Sequence, residues 1–149
     1  MSADKAISPG RFITFEGGEG SGKSTQIKLL AGHLRGAGFD VLETREPGGS
    51  PNAEAIREYL LSGQAEDKGP KAEAMLFAAA RMDHLENTIR PALQAGTWVP
   101  CDRFMDSTRV YQGMDLDPET IDLLEKITVE KTRPDMTILL DLPAREGLH

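Results

Sequence analysis

Gly17-Gly-Glu-Gly-Ser-Gly22-Lys23-Ser24 fits G-x-x-x-x-G-K-[ST] at every position, and its surroundings fit as well. On its N-terminal side, Phe12-Ile-Thr-Phe15 is a short aromatic and β-branched run, the composition of a strand that feeds a tight loop. On its C-terminal side, Ile27, Leu30, Ala31 and Leu34 recur at helical spacing from Lys23 onward, until Gly36 and Gly38 supply a stop. A strand, a glycine loop and a helix in that order make a phosphate cradle. Backbone N–H groups turn toward one anion, the helix N-terminus adds partial positive charge, Lys23 reaches the outer phosphates, and the Ser24 hydroxyl suits Mg²⁺. The competing reading is a glycine-rich β–α turn with an incidental lysine, which requires pattern and context to agree by accident.

Further along, strands and helices keep alternating. Asp40-Val-Leu-Glu-Thr44 reads as a second strand, followed by the turn-rich loop Arg45-Glu-Pro-Gly-Gly-Ser-Pro51 and a short helix marked by Ala53, Ile56 and Leu60. From Ala72 to Leu93 the stripe Met75, Ala78, Ala79, Met82, Leu85, Ile89 and Leu93 predicts a long buried helix, with Pro91 kinking or fraying its last turn. Thr97-Trp-Val-Pro-Cys101 predicts a third strand running into Asp102-Arg103. A helix through Gln112, another over 118–130 and a fourth strand over Met136-Thr-Ile-Leu-Leu140 complete the chain. Helical crossovers between strands imply an α/β fold with a parallel sheet covered on both faces, in which ligands bind beyond the carboxyl ends of the strands.

Composition narrows the function. A chain of 149 residues is one domain, with 1–10 as a loose lead-in. With 24 acidic against 17 basic residues the formal charge is −7, a poor balance for binding nucleic acid or an acidic membrane. The apolar run at Met75 to Ala80 is far below the ~20 residues of a membrane helix, and the N-terminus lacks the apolar stretch of a signal peptide, so the expected location is cytoplasmic. Cys101 is the single cysteine and is expected to be a small buried strand residue. His33, His84 and His149 are expected to be surface or helix residues without a catalytic role. GTPase switches usually add D-x-x-G and N-K-x-D, and neither occurs here.

A kinase must hold a second ligand. Within an acidic chain, Arg45, Arg57, Arg81 and Arg103 fall where the architecture aims residues at the ligand edge, and guanidinium forks suit phosphate. Each could instead be a solvated surface charge, except Arg103, which directly follows the apolar strand expected beside the phosphate loop. Asp102 suits holding Mg²⁺ through water beside Ser24, or capping the next helix. Phe77 and Arg81, four residues apart, offer a ring and a polar fork suited to a nucleobase; a core Phe beside a surface Arg is the alternative. Thr108, Tyr111 and Gln112 share one face of the helix after Asp102 and could line the same pocket.

The segments F-I-T-F-E-G-G-E-G-S-G-K-S-T, T-R-E-P-G-G-S, I-R-E-Y-L-L, A-E-A-M-L-F-A-A-A-R, C-D-R-F-M-D-S-T-R-V-Y-Q-G and R-P-D-M-T-I-L-L-D together resemble the bacterial thymidylate kinase family from Phe12 to about Leu148. The resemblance implies the three-layer P-loop α/β/α fold, with four strands here and a fifth beyond His149. It implies conversion of dTMP to dTDP with ATP and Mg²⁺. ATP would be held by Gly17, Gly18, Glu19, Gly20, Ser21, Gly22, Lys23, Ser24 and Thr25, with Lys23, Asp102, Arg103 and Glu19 serving the transfer and Ser24 and Asp102 the metal. The acceptor dTMP would meet Arg45, Arg57 and Arg103 around its phosphate, Phe77 against the ring, Arg81 on the base carbonyl, and Thr108, Tyr111 and Gln112 around base and sugar, with Glu46 also among its binding residues. Homodimerisation through the long apolar helix is also implied.

Two departures stand out. The family continues for several tens of residues past the position of His149, through an arginine-bearing lid that closes over ATP. This phosphate loop has no basic residue at its variable positions, a variant that in this family draws its catalytic arginine from the lid, so residues 1–149 lack the expected arginine. The alternatives are a fragment and a protein that carries a mobile lid, and the second is preferred. The segment after Tyr111-Gln-Gly113 is also a few residues short of the family pattern. A kinase for another nucleoside monophosphate and a nucleotide-binding regulatory module are the competing functions.

Overall fold

The structure, a computed structural model, describes residues 9–18, 20–111 and 116–141, without the side chains of 109–111. Its four strands, β1 (Phe12–Glu16), β2 (Thr44–Arg45), β3 (Val99–Asp102) and β4 (Met136–Leu139), are all parallel and lie in the order β2-β3-β1-β4. The helices are α1 (Lys23–Gly36), α2 (Pro51–Leu61), α3 (Pro70–His84), α4 (Arg90–Gln94), α5 (Met105–Tyr111) and α6 (Pro118–Val129).

All five residues of β1 are buried, and strand alternation sends them to two cores. Ile13 and Phe15 pack with Ile27 of α1 on one face, while Phe12 packs with Leu85, Ile89, Val99, Phe104 and Ile121 on the other. The Phe12 and Phe104 rings meet edge to face with centroids 5.0 Å apart. Full burial of a side chain such as Phe12 stabilises the fold by about 1.5–3 kcal/mol.

The order of strands creates the ligand edge. From β1 the chain crosses over to β2 on one flank, and from neighbouring β3 it crosses to β4 on the other. A crevice therefore opens beyond the carboxyl ends of β1 and β3, where ligands bind in sheets of this kind. Phe15 stands opposite Asp102 in the register, so the glycine loop and Asp102-Arg103 leave the sheet side by side.

Two expectations need correction. The second strand is confined to Thr44–Arg45, with only an isolated bridge between Val41 and Trp98 upstream. The long helix is not one regular α-helix, and its apolar stripe is buried only in part: Leu85 and Ile89 lie in the core and Leu93 packs against it. Between α3 and α4 it runs through a π turn at Leu85–Ile89, whose wider spacing precedes Pro91, the residue that lacks an N–H. Met75 and Ala79, expected inside, are exposed, whereas Arg81 and His84 are buried with Ala74 and Ala80. The inward face of α3 is set by ion pairing to the loop after β2 rather than by apolar periodicity.

Candidate active site

The glycine loop turns into α1 at Gly22, the N-cap, whose φ of +95° lies in the left-handed region that glycine enters without strain. Lys23 follows at once and is buried. Its ammonium donates to the carbonyls of Gly17 at 2.8 Å and Gly18 at 3.0 Å, which holds it inside the loop. A cavity of about 520 Å³ opens there, lined by Gly20, Ser21, Gly22, Lys23, Ser24, Arg45, Glu46, Arg57, Asp102 and Arg103. Glu19 lies outside the described residues, and Thr25 is exposed on the first turn of α1.

A second cavity, of about 410 Å³, adjoins the first. Phe77 and Arg81 from α3, Thr108 and Ser107 from α5, Phe104, and Leu60 and Leu61 from α2 line it, together with Glu46, Arg57 and Arg103. The pairing of Phe77 with Arg81 on one helix side is thus realised as a shared wall. Glu46, Arg57 and Arg103 belong to both cavities, so the two cavities meet across two guanidinium groups.

Local contacts aim these groups. Arg57 donates through Nη1 to the Pro47 carbonyl at 2.8 Å, which fixes its side chain across the mouth. Arg103 has a φ of +71°, a left-handed conformation that is uncommon for a residue with a side chain. Its N–H is bonded to the Phe15 carbonyl at 2.9 Å, so the turn is anchored to β1. Arg81 is buried; its Nε donates to Glu46 Oε1 at 2.6 Å and its Nη2 to Thr108 Oγ1 at 3.0 Å. Arg45 lines the glycine-loop cavity beside Arg57 and Arg103 but not the Phe77 cavity, and its Nη2 pairs with Glu54 Oε2 at 3.3 Å. Gln112 and the side chain of Tyr111 lie outside what is described.

Ser24 and Asp102 line the same cavity wall, and Asp102 Oδ1 is buried without a hydrogen-bond partner. Among the described residues no group of three or more His, Cys, Asp or Glu side chains could cage a metal alone. One hydroxyl and one unpaired carboxylate oxygen fit a hydrated magnesium ion that takes its remaining ligands from water and phosphate.

Two groups escaped the sequence reading. Glu16, the last residue of β1, is buried and accepts from Phe104 N–H at 3.0 Å and Ser107 Oγ at 2.5 Å. Burial pushes its carboxyl above the ordinary value, against the pull of the Ser107 and Phe104 hydrogen bonds. A glutamate ending an otherwise apolar strand was the available signal, since a buried carboxylate needs partners. The other is His84, expected at the surface or on a helix; it lies on α3 but is fully buried. Cys101 is buried as expected, and burial raises its thiol well above the ordinary value.

A phosphate-cradling loop on a parallel sheet, opposite a second cavity walled by arginines and an aromatic ring, defines a protein of the P-loop α/β class. Residues 15–149 match the family profile described as thymidylate kinase. A thymidylate kinase of Bradyrhizobium diazoefficiens is 57% identical over 142 residues, covering 94% of this chain and 62% of the relative. One from Bradyrhizobium sp. is 54% identical over 141 residues, covering 93% and 62%. The crystal structure of thymidylate kinase from Ehrlichia chaffeensis superposes with a TM-score of 0.82 at 39% identity, covering 94% of this chain and 81% of that one. The chain belongs to the thymidylate kinase family, and it spans about three-fifths of the length of the curated relatives it matches.

Proposed function

We propose that the protein transfers the γ-phosphoryl group of ATP to dTMP, giving dTDP and ADP, and that this chain is its P-loop kinase domain. The observation that carries the reading is the pair of adjoining cavities sharing Glu46, Arg57 and Arg103. ATP enters the glycine loop and its outer phosphates meet Lys23. The acceptor enters the second cavity, its base between Phe77 and Arg81 with Thr108 beside it and its phosphate at Arg57 and Arg103.

A nucleoside monophosphate is largely dianionic at neutral pH, because its second ionisation falls near pH ~6. Its oxygen therefore attacks the γ-phosphorus without a protein base. The new P–O bond forms as the bond from the γ-phosphorus to the β,γ-bridging oxygen breaks, and ADP leaves with that electron pair. The obstacle is repulsion: two unit charges ~4 Å apart repel by about 4 kcal/mol at an effective dielectric of 20. Lys23, Arg57 and Arg103 offset it and hold donor and acceptor in line, the main source of catalysis in phosphoryl transfer. Ser24 and Asp102 are the residues that would hold Mg²⁺, which supplies further charge neutralisation on the ATP phosphates.

The reading extends to a cytoplasmic homodimer with no nucleic-acid or membrane partner. Met75 on α3 and Leu123 and Ile127 on α6 are large apolar side chains left half-exposed or more on adjoining helices, which suits a surface covered by a second copy. Among the described residues no helix is long and apolar enough to cross a membrane.

The test is turnover by the full-length protein with ATP·Mg²⁺ and, separately, dTMP, dUMP, AMP and CMP. Preferential formation of dTDP is expected. Preference for AMP or CMP moves the protein to another substrate, and binding of both nucleotides without any dTDP makes it a regulatory module.

A further inference from the structure

We propose that His84 is a positioning residue for the second cavity, acting through Glu46 to keep the outer edge of Arg81 available to the nucleobase. The inference rests on the function proposed above. His84 does not line the cavity and touches no ligand volume. It is fully buried one helical turn beyond Arg81, on the same side of α3. Its Nδ1 lies 2.8 Å from Glu46 Oε2 and its Nε2 lies 2.6 Å from Thr44 Oγ1. One tautomer meets both contacts: Nδ1–H donates to the carboxylate, and Nε2 accepts from the threonine hydroxyl.

The consequence lies in how Glu46 divides its oxygens. Oε1 takes Arg81 Nε and Oε2 takes His84. A carboxylate and a guanidinium left to themselves favour a two-pronged pairing. Without a partner on Oε2, Glu46 would turn to grip Arg81 with both oxygens and draw Nη2 away from Thr108, where it now sits at 3.0 Å. His84 thus confines Glu46 to one prong. The backbone is built to admit the ring: a Cβ on Gly49 would stand 2.2 Å from His84 Nε2 and 2.5 Å from Thr44 Oγ1.

Titration calorimetry on the full-length protein tests this, with dTMP and a non-hydrolysable ATP analogue as probes. His84→Leu should weaken dTMP binding by about tenfold, the worth of one charge-assisted hydrogen bond, and leave the ATP analogue unaffected. In an Arg81→Ala background the same change should have no further effect on dTMP. His84→Asn and His84→Gln keep the question open should the leucine variant not fold. Asn places its N–H near the Nδ1 position and Gln near Nε2, so the Asn variant should bind dTMP more tightly than the Gln variant. Wild-type dTMP affinity in His84→Leu, an equal loss with and without Arg81, or Gln outperforming Asn overturns the inference. Failure of the wild-type protein to bind dTMP at all overturns the proposed function instead.

Discussion

Glu16 and Ser107 are joined by a hydrogen bond of 2.5 Å that ties the end of the strand feeding the phosphate loop to the first turn of α5. The phosphate loop and one wall of the Phe77 cavity are thereby fastened to each other through a carboxylate buried at their junction.

That carboxylate makes stability depend on pH. Burial raises its folded-state value above the ordinary 4.5, so the folded protein binds the proton more tightly than the unfolded chain does. The contribution is present below pH 4.5 and is lost as pH rises through the raised value. Glu16→Gln removes this titration. The stability of the variant relative to wild type should increase across that window, by at most about 1.4 kcal/mol per pH unit. Denaturant unfolding of both proteins in steps from pH 4.5 upward measures it; parallel curves would refute the assignment.

Arg81→Ala acts on binding and on stability together. It removes the guanidinium on the wall of the Phe77 cavity and strands Glu46 as a buried carboxylate, which destabilises by about 3–5 kcal/mol. Equilibrium dialysis should find dTMP affinity reduced at least about tenfold with ATP affinity retained. Unchanged dTMP affinity in a folded variant would show that the pocket is misassigned.

Lys23→Met separates the two cavities. The lysine lines the glycine-loop cavity and not the Phe77 cavity. Turnover should fall by about 100-fold or more, the scale of losing one preorganised cationic donor, while dTMP binding persists. Steady-state kinetics and dTMP titration on the same preparation decide the matter.

Gly49→Ala and Gly63→Ala form a matched pair. Both glycines have left-handed φ, +91° and +81°, but a Cβ on Gly63 meets open space while one on Gly49 strikes His84 and Thr44. Gly63→Ala should lower stability by about 1–2 kcal/mol through backbone strain alone. Gly49→Ala adds overpacking worth about 1–3 kcal/mol, so its melting temperature should fall further. Equal shifts would mean that His84 moves aside freely.

Sequence was sufficient wherever the determinant is local. Gly17 through Ser24 dictate their loop because glycines in those positions permit the backbone to curl and Lys23 sits at the start of the next helix. The strand alternation of Phe12 to Phe15 dictates two covered faces, and the Phe77–Arg81 spacing dictates a shared helix side. Tertiary structure alone decided how α3 faces inward, why Arg81 and His84 are buried while Met75 is not, and that Arg45 turns to Glu54. The reason is that a polar or charged side chain enters the interior only where its partner arrives. Glu46 arrives from 35 residues before Arg81 and 38 before His84, a separation that no local periodicity records.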